Sequence, residues 1–211
     1  MAGRYSSSLE SKLAQDISRV DVILASGSPE YDWGVDISPK FIVENGSFNA
    51  GRSFVKAILC VFAYHRPLSF RDNGIVQISN YWLKQANSKN YHHFFPRAFL
   101  RKKKFEEWYA NNVVNINIVD DYLNKREIGS KAPSKYMSDF SRDNSDIERT
   151  MRTHVINGIA DFGIYEDDYD TFMQKRSEAI SKELKKRLIK RRVDDLGQAQ
   201  NSADLQEDEA A

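Results

Sequence analysis

Cysteine is almost absent from this chain of 211 residues, in which Cys60 is the only one. A disulfide within the chain is therefore excluded, and with it the disulfide framework of small secreted domains. Because Cys60 lies in an apolar segment, we expect it to be buried as a small hydrophobic residue. Long apolar runs are also lacking, since none approaches the roughly 20 residues that cross a bilayer. No charged-then-apolar segment opens the sequence, so we expect no membrane association and a cytoplasmic location.

An overall excess of charge of one sign is lacking as well, because 31 Lys and Arg face 30 Asp and Glu for a net charge of +1. The balance is uneven along the chain. Residues 194–211 contain six acids and no Lys or Arg, which leaves 31 basic and 24 acidic residues in positions 1–193. The acidic segment is predicted to be a disordered tail. The basic excess in the remainder modestly favours a phosphate-rich partner.

What the sequence does contain is helical periodicity. Its 41% hydrophobic and 12% aromatic residues are enough for one substantial domain, which we place at 1–193. Two short segments, 91–95 and 113–119, have the composition of strands. Apolar residues recur at helical spacing elsewhere, and the main predicted helices are 9–24, 47–65 and 169–188, the last one capped by Asp167 or Asp168. The predicted fold class is mainly α with a small β-hairpin.

Two of the four histidines stand side by side in the first predicted strand. Neighbouring side chains on a strand point to opposite faces, so His92 and His93 are expected to have different roles. The second predicted strand is followed by a short helix, for which Asp120 or Asp121 is the expected cap and Gly129 the expected end. Taken in isolation, the pair would be interpreted as one buried core histidine and one surface histidine.

The order of strand, loop, strand and short helix, with these residues on it, resembles the HNH nucleases, the ββα-metal or His-Me finger class. In that class a strand ends in Asp-His or His-His, a second strand carries an Asn, and an Asn or His nine residues later completes a metal site. Asn115 and Asn124 stand nine residues apart. The segments His-His-Phe-Phe-Pro and Asn-Lys-Arg-Glu-Ile-Gly-Ser-Lys-Ala-Pro-Ser, within a motif spanning about residues 88–134, most resemble the C-terminal nuclease domain of GmrSD-type restriction proteins. That group includes the phosphorothioate-sensing SspE proteins.

The resemblance implies a helical domain that carries an HNH motif, and it implies a role for each motif residue. His93 matches the general base, an imidazole that can be neutral at pH 7 and take a proton from water. His92 and Asn124 match the protein ligands of a divalent ion, and Asn115 matches the Asn that holds the motif loop by hydrogen bonds. Such a sparse site suits Mg²⁺, while the histidine ligand leaves Mn²⁺, Ni²⁺ or Zn²⁺ open.

The chain departs from the class in two places. The loop between the histidines and Asn115 is longer than in compact HNH enzymes, and Ile128 stands where some members have another metal-binding His. The long loop carries a basic run, and the members of that run are Arg97, Arg101, Lys102, Lys103 and Lys104. Beside a nuclease site we expect the run to contact the DNA phosphate backbone, although such a run is more often a solvated face.

The predicted function is that of a metal-dependent DNA endonuclease or nickase, the effector domain of a modification-sensing anti-phage restriction protein. The resemblance further implies that the chain is the C-terminal part of a longer protein with an upstream NTPase or sensing domain. Two other functions stay open: a catalytically inactive DNA- or partner-binding module on an HNH scaffold and, third, an RNase.

Overall fold

The computed structural model describes residues 9–27, 36–78, 91–120 and 123–187. Residues 36–186 form one compact unit, and the described residues 9–27 belong to a second one. The predicted acidic tail, residues 194–211, lies outside the described residues, as does Asp121. No helix in the described ranges is long and apolar enough to cross a membrane.

Helices dominate the described chain and the only sheet there has two strands, so the predicted fold class is confirmed. The α-helices are α1 (Leu9–Leu24), α2 (Pro39–Asn45), α3 (Ser53–Tyr64), α4 (Arg97–Lys102), α5 (Glu107–Ala110), α6 (Pro133–Asp143), α7 (Ile147–Thr153) and α8 (Tyr169–Lys185). The strands are β1 (Tyr91–His93) and β2 (Ile116–Ile118). Short 3-10 helices cover Val113–Asn115 and Ala160–Phe162, and a π-helix covers Leu123–Ile128.

The last helix, α8, is the element against which the 36–186 unit is built. It starts where the sequence predicted, because the carboxylate of Asp168 accepts a hydrogen bond of 3.1 Å from the backbone N–H of Thr171 and so caps the first turn. Its apolar residues Tyr169, Phe172 and Ile180 are buried. The helix packs against α2, α3 and both 3-10 helices, and it thereby closes the core behind the small sheet.

The two strands pair antiparallel, with His92 opposite Asn117 and His93 opposite Ile116. Both are shorter than predicted. The carboxamide of Asn115 bonds both backbone groups of Phe95, which removes Phe95 from the strand ladder.

The residues before β2 form a 3-10 turn in place of the predicted strand. This turn is capped by Asn112, whose carboxamide oxygen accepts a hydrogen bond of 3.1 Å from the N–H of Val114. Buried asparagine side chains therefore set the ends of the hairpin strands.

An aromatic cluster anchors the chain directly after the histidine pair. The Phe94 and Phe172 rings stack with centroids 5.0 Å apart, and the Phe95 and Phe172 centroids lie 4.9 Å apart. Phe94 and Phe95 are both buried, which stabilises the fold by about 2 kcal/mol or more for each side chain. This packing fixes the end of β1 against α8.

The prediction for Cys60 was wrong, because its side chain is exposed. The core helix α3 begins at Ser53, and its inward face carries Val55, Ile58, Leu59 and Phe62, which are all buried. Position 60 falls on the outer side of that helix, which the apolar composition of the segment did not indicate.

Candidate active site

The two histidines lie on opposite faces of the hairpin, as the alternation of a strand predicted. Cross-strand pairing places the side chain of His92 on the face of Asn117, and that of His93 on the face of Ile116. Both imidazoles are half-buried. Each histidine therefore has its own environment, and each can have a separate role.

His93 is a neutral imidazole held by a side chain. Its Nε2 lies 2.9 Å from Oδ1 of Asn111, and the edge of Phe48 meets its ring at a centroid distance of 6.5 Å. Burial lowers the pKa of His93 to about 4, against the opposing effect of the Asn111 hydrogen bond, and the positive charge of Arg97 lowers it further. The ring is consequently uncharged at pH 7, the state in which it accepts a proton.

Asn115 is fully buried and bridges two segments of the loop. Its Oδ1 accepts a hydrogen bond of 2.8 Å from the N–H of Phe95, and its Nδ2 donates to the carbonyls of Phe95 and Ala110, both at 3.0 Å. Only a carboxamide has the acceptor and the two donors that this arrangement uses. The side chain thus ties the end of the β1 segment to the end of α5.

Asn124 lies on the short π-helix after β2 and is half-buried. The carboxylate of Asp120 accepts a hydrogen bond of 2.8 Å from the N–H of Leu123 at the start of this helix. Gly129, at φ +54°, ends it by donating from its N–H to the carbonyl of Asn124 at 2.7 Å. The predicted cap and end are confirmed, while Ile128 is buried in the core.

The hairpin face that carries His92 also carries a buried positive charge. Asn117 accepts a hydrogen bond of 2.7 Å from Arg176, whose side chain is 1% exposed. The Nε2 atom of His92 is itself buried. Because like charges repel strongly in a poorly solvated interior, Arg176 disfavours a divalent ion on the inner side of this face.

The protein ligands for an ion are few. No group of three or more His, Cys, Asp or Glu side chains converges among the residues that the structure describes. His92 and Asn124 offer one imidazole nitrogen and one carboxamide oxygen, donors that fit an ion which keeps water and phosphate oxygens as its other ligands. By donor type, these residues fit a sparse divalent site.

The basic run lies mostly in solvent. Arg97 forms an ion pair with Glu107, and Lys103 lies over the ring of Phe99 at 5.8 Å from its centroid. Lys104, two residues after the end of α4, has a left-handed backbone at φ +64°. The side chains from position 101 to 104 are all exposed, so their charges are accessible to a phosphate backbone.

Two residues at this site were not found from the sequence. Asn111 was one of several asparagines in a loop, and Arg176 was one of several cations on a helix predicted to be amphipathic. Neither contact could be predicted, because each residue is far along the chain from its partner. Asn111 follows His93 by 18 positions, and Arg176 follows Asn117 by 59. A usable signal for Arg176 is its position, since it lies between Phe172 and Ile180 on the apolar face of α8.

No model of a known protein family matches the chain, and no solved structure matches it. The uncharacterized protein MJ0686 of Methanocaldococcus jannaschii is 30% identical to it over 146 residues. That match covers 64% of this chain and 23% of the relative. The chain therefore spans less than a quarter of the length of the relative that it matches.

Proposed function

We propose that the chain is a metal-dependent DNA endonuclease or nickase on an HNH scaffold. The observation that carries the proposal is the set of three hydrogen bonds made by the buried Asn115 carboxamide. They hold the loop that follows the histidine pair, which is the role that the resemblance to HNH nucleases assigns to this residue. The order of β1, β2 and the short helix with Asn124 supports the same function.

Hydrolysis of a phosphodiester needs a base for the attacking water and a positive charge near the leaving oxygen. His93 acts as the base, since its ring is neutral at pH 7 and its position is fixed by Asn111. His92 and Asn124 would hold the divalent ion, which supplies the charge that stabilises the leaving oxygen when it is bound. Asn115 fixes the position of His93 relative to the loop that follows it.

The exposed cations from Arg101 to Lys104 bind the phosphate backbone in this proposal. Lys and Arg that neutralise phosphates give affinity that does not depend on sequence and that falls steeply with salt. Arg97 contributes less, because its guanidinium already pairs with Glu107. Neutralising positions 101–104 together is expected to weaken DNA retention and to reduce its dependence on salt.

Plasmid cleavage tests the proposed activity. Supercoiled plasmid incubated with the full chain and Mg²⁺ or Mn²⁺ is expected to become nicked or linear. His93→Ala is expected to lower the rate by about 10² to 10⁴-fold, the usual contribution of a general base. The matched control is His65→Ala, which removes a histidine from the end of α3, where it pairs with Glu183 at 3.0 Å. Equal rates for His93→Ala and the unmodified chain would reject the assigned base.

A DNA-binding module without catalysis is the second candidate, and the buried Arg176 beside Asn117 favours it. Its positive charge disfavours an ion on the face of His92. This candidate predicts salt-sensitive retention of DNA with no cleavage under any divalent ion. A third candidate, an RNase, would show cleavage of RNA but not of DNA in parallel reactions.

The biological role that we propose is the effector domain of a modification-sensing anti-phage restriction protein. The chain matches less than a quarter of MJ0686, which is compatible with an upstream NTPase or sensing domain. A cytoplasmic location belongs to this proposal. Expression of the longer protein with intact His93 should protect cells against phage, and His93→Ala should abolish that protection.

A further inference from the structure

Asn111 is the residue from which a further role follows. It comes directly after α5, in the long loop, and it provides the hydrogen-bond partner of the His93 ring. We propose that Asn111 is a positioning residue that fixes His93 as the Nε2–H tautomer, so that Nδ1 takes the proton from the attacking water. This inference rests on the proposed nuclease function.

The chemistry of the contact assigns the tautomer. Nε2 of His93 lies 2.9 Å from the carboxamide oxygen of Asn111. A carbonyl oxygen can only accept a hydrogen bond, so Nε2 must carry the hydrogen. A neutral imidazole has a single N–H, which leaves a lone pair on Nδ1. Nδ1 makes no hydrogen bond within the described part of the chain.

The backbone on both sides of Asn111 is held in place. Its N–H donates to the carbonyl of Glu107 at 2.8 Å, and its carbonyl accepts a hydrogen bond of 2.8 Å from the N–H of Phe48. Phe48 also meets the ring of His93 with its edge. The carboxamide therefore approaches the imidazole from a fixed direction.

Asn115 fixes both partners of this contact. Its side chain bonds Phe95, two residues after His93, and Ala110, the residue before Asn111. Its backbone carbonyl also accepts a hydrogen bond of 2.8 Å from the N–H of Phe94. One buried carboxamide thus holds both the segment that carries His93 and the segment that carries Asn111. A residue that positions a catalytic base must itself be fixed by the residues around it.

Imidazole ¹⁵N–¹H correlation spectra of the full chain at neutral pH without metal ions test the tautomer directly. The signal of His93 is assigned by its loss in His93→Ala. We expect the pattern of an Nε2–H ring in the unmodified chain and in Asn111→Asp, because a carboxylate also accepts from Nε2–H. Asn111→Leu, which removes the acceptor, should give a mixture of tautomers. An Nδ1–H ring in the unmodified chain, or an unchanged tautomer in Asn111→Leu, would overturn the inference.

Kinetics separate positioning from general structural support. Asn111→Leu is expected to lower kcat on the order of 10²-fold while KM changes by less than about twofold, because the lost effect falls on the proton transfer. Asn111→Asp should recover most of the lost rate. The matched control is Asn157→Leu, the same change at an exposed position, which should leave kcat unchanged. An equal loss in the Asp and Leu variants would contradict a positioning role.

The two proposals can fail separately. An Nε2–H ring in a chain that cuts no nucleic acid would reject the nuclease function and leave the orientation of His93 by Asn111 intact. Cleavage that depends on His93 but is unchanged in Asn111→Leu would keep the nuclease and reject the role of Asn111. If Asn111→Leu fails to fold, the spectrum of the unmodified chain and of Asn111→Asp still decides the tautomer.

Discussion

His93 and His154 have similar ionisation and different surroundings. Burial lowers the pKa of His93 to about 4 and that of His154 to about 3. His154 is 2% exposed, lies 4.9 Å from the ring centroid of Phe70 and donates from Nε2 to the carbonyl of Leu68 at 2.8 Å. His93 is half-buried and contacts a side chain.

The comparison shows that a lowered pKa alone does not distinguish a base from a structural histidine. Both rings are neutral at pH 7, but the ring of His154 is enclosed and ties two distant segments of backbone together. The ring of His93 is partly accessible and lies at the end of β1, directly before a loop held by asparagines. Accessibility and the kind of partner, more than ionisation, distinguish His93, the proposed base, from His154.

Arg176 joins the backbone at His154 to the second strand of the hairpin. Its removal is expected to have the largest effect on stability. Its guanidinium donates to the carbonyls of Val114 and His154 and to the carboxamide of Asn117. Arg176→Ala leaves these buried acceptors without their donor and should lower the free energy of unfolding by about 3–5 kcal/mol. Urea unfolding measures the change. A loss below about 1 kcal/mol would contradict the structure, and the exposed neighbour Lys175→Ala, as control, should stay within about 0.5 kcal/mol.

The same substitution at two asparagines sharpens the comparison. Asn115→Asp loses both donors and sets a carboxylate against two carbonyls, so it should cost about 2–4 kcal/mol of stability. Asn117→Asp keeps an acceptor for Arg176 and adds an opposite charge, so the change should be less than about 1 kcal/mol. Thermal and urea unfolding of the two variants measure the difference. Equal costs would mean that the hydrogen bonds of Asn115 are not what holds the loop.

Alanine variants of His154 and His93 should show that one histidine matters mainly for stability and the other mainly for activity. His154→Ala removes a buried ring and its hydrogen bond and is expected to cost about 2–3 kcal/mol of unfolding free energy. His93→Ala should cost about half as much, because its ring is only partly buried. Plasmid cleavage by the folded fraction should rank the variants in the opposite order. A His154→Ala variant that folds but loses all cleavage would contradict the assignment of His154 as structural and His93 as the base.

The smallest effect is a pH dependence of stability that His154 should produce. Its folded pKa of about 3 lies below the value of about 6.5 in an unfolded chain, so the unfolded state binds the proton first as pH falls. Stability should therefore be unaffected above pH 6.5 and decrease from there towards pH 3. Removing the titrating ring in His154→Phe should reduce the loss between pH 6.5 and 5.5 by about 1 kcal/mol. Parallel curves for the two proteins would refute this assignment.

The sequence predicted the local features of the fold well. The periodicity of apolar residues located α1, α8 and most of α3, although α3 begins at Ser53 and residues 47–52, predicted as its first turns, are not helical. The cap at Asp168 followed from an acid just before an amphipathic segment. The ends of the hairpin strands were predicted less well. Carboxamides of Asn112 and Asn115 take backbone groups out of the ladder there, and the choice between a ladder and a side-chain partner depends on the fold around them.

The alternation of a strand determined by itself that His92 and His93 face opposite ways, and the resemblance to the HNH motif singled out Asn115 and Asn124. Both are readable from the sequence because alternation and motif spacing are local patterns. Tertiary structure alone decided that Asn111 meets His93, that a cation is buried beside Asn117 and that Cys60 faces solvent. These outcomes depend on which distant segments pack together, since the free energy of a buried hydrogen bond or charge is fixed by its partners in space.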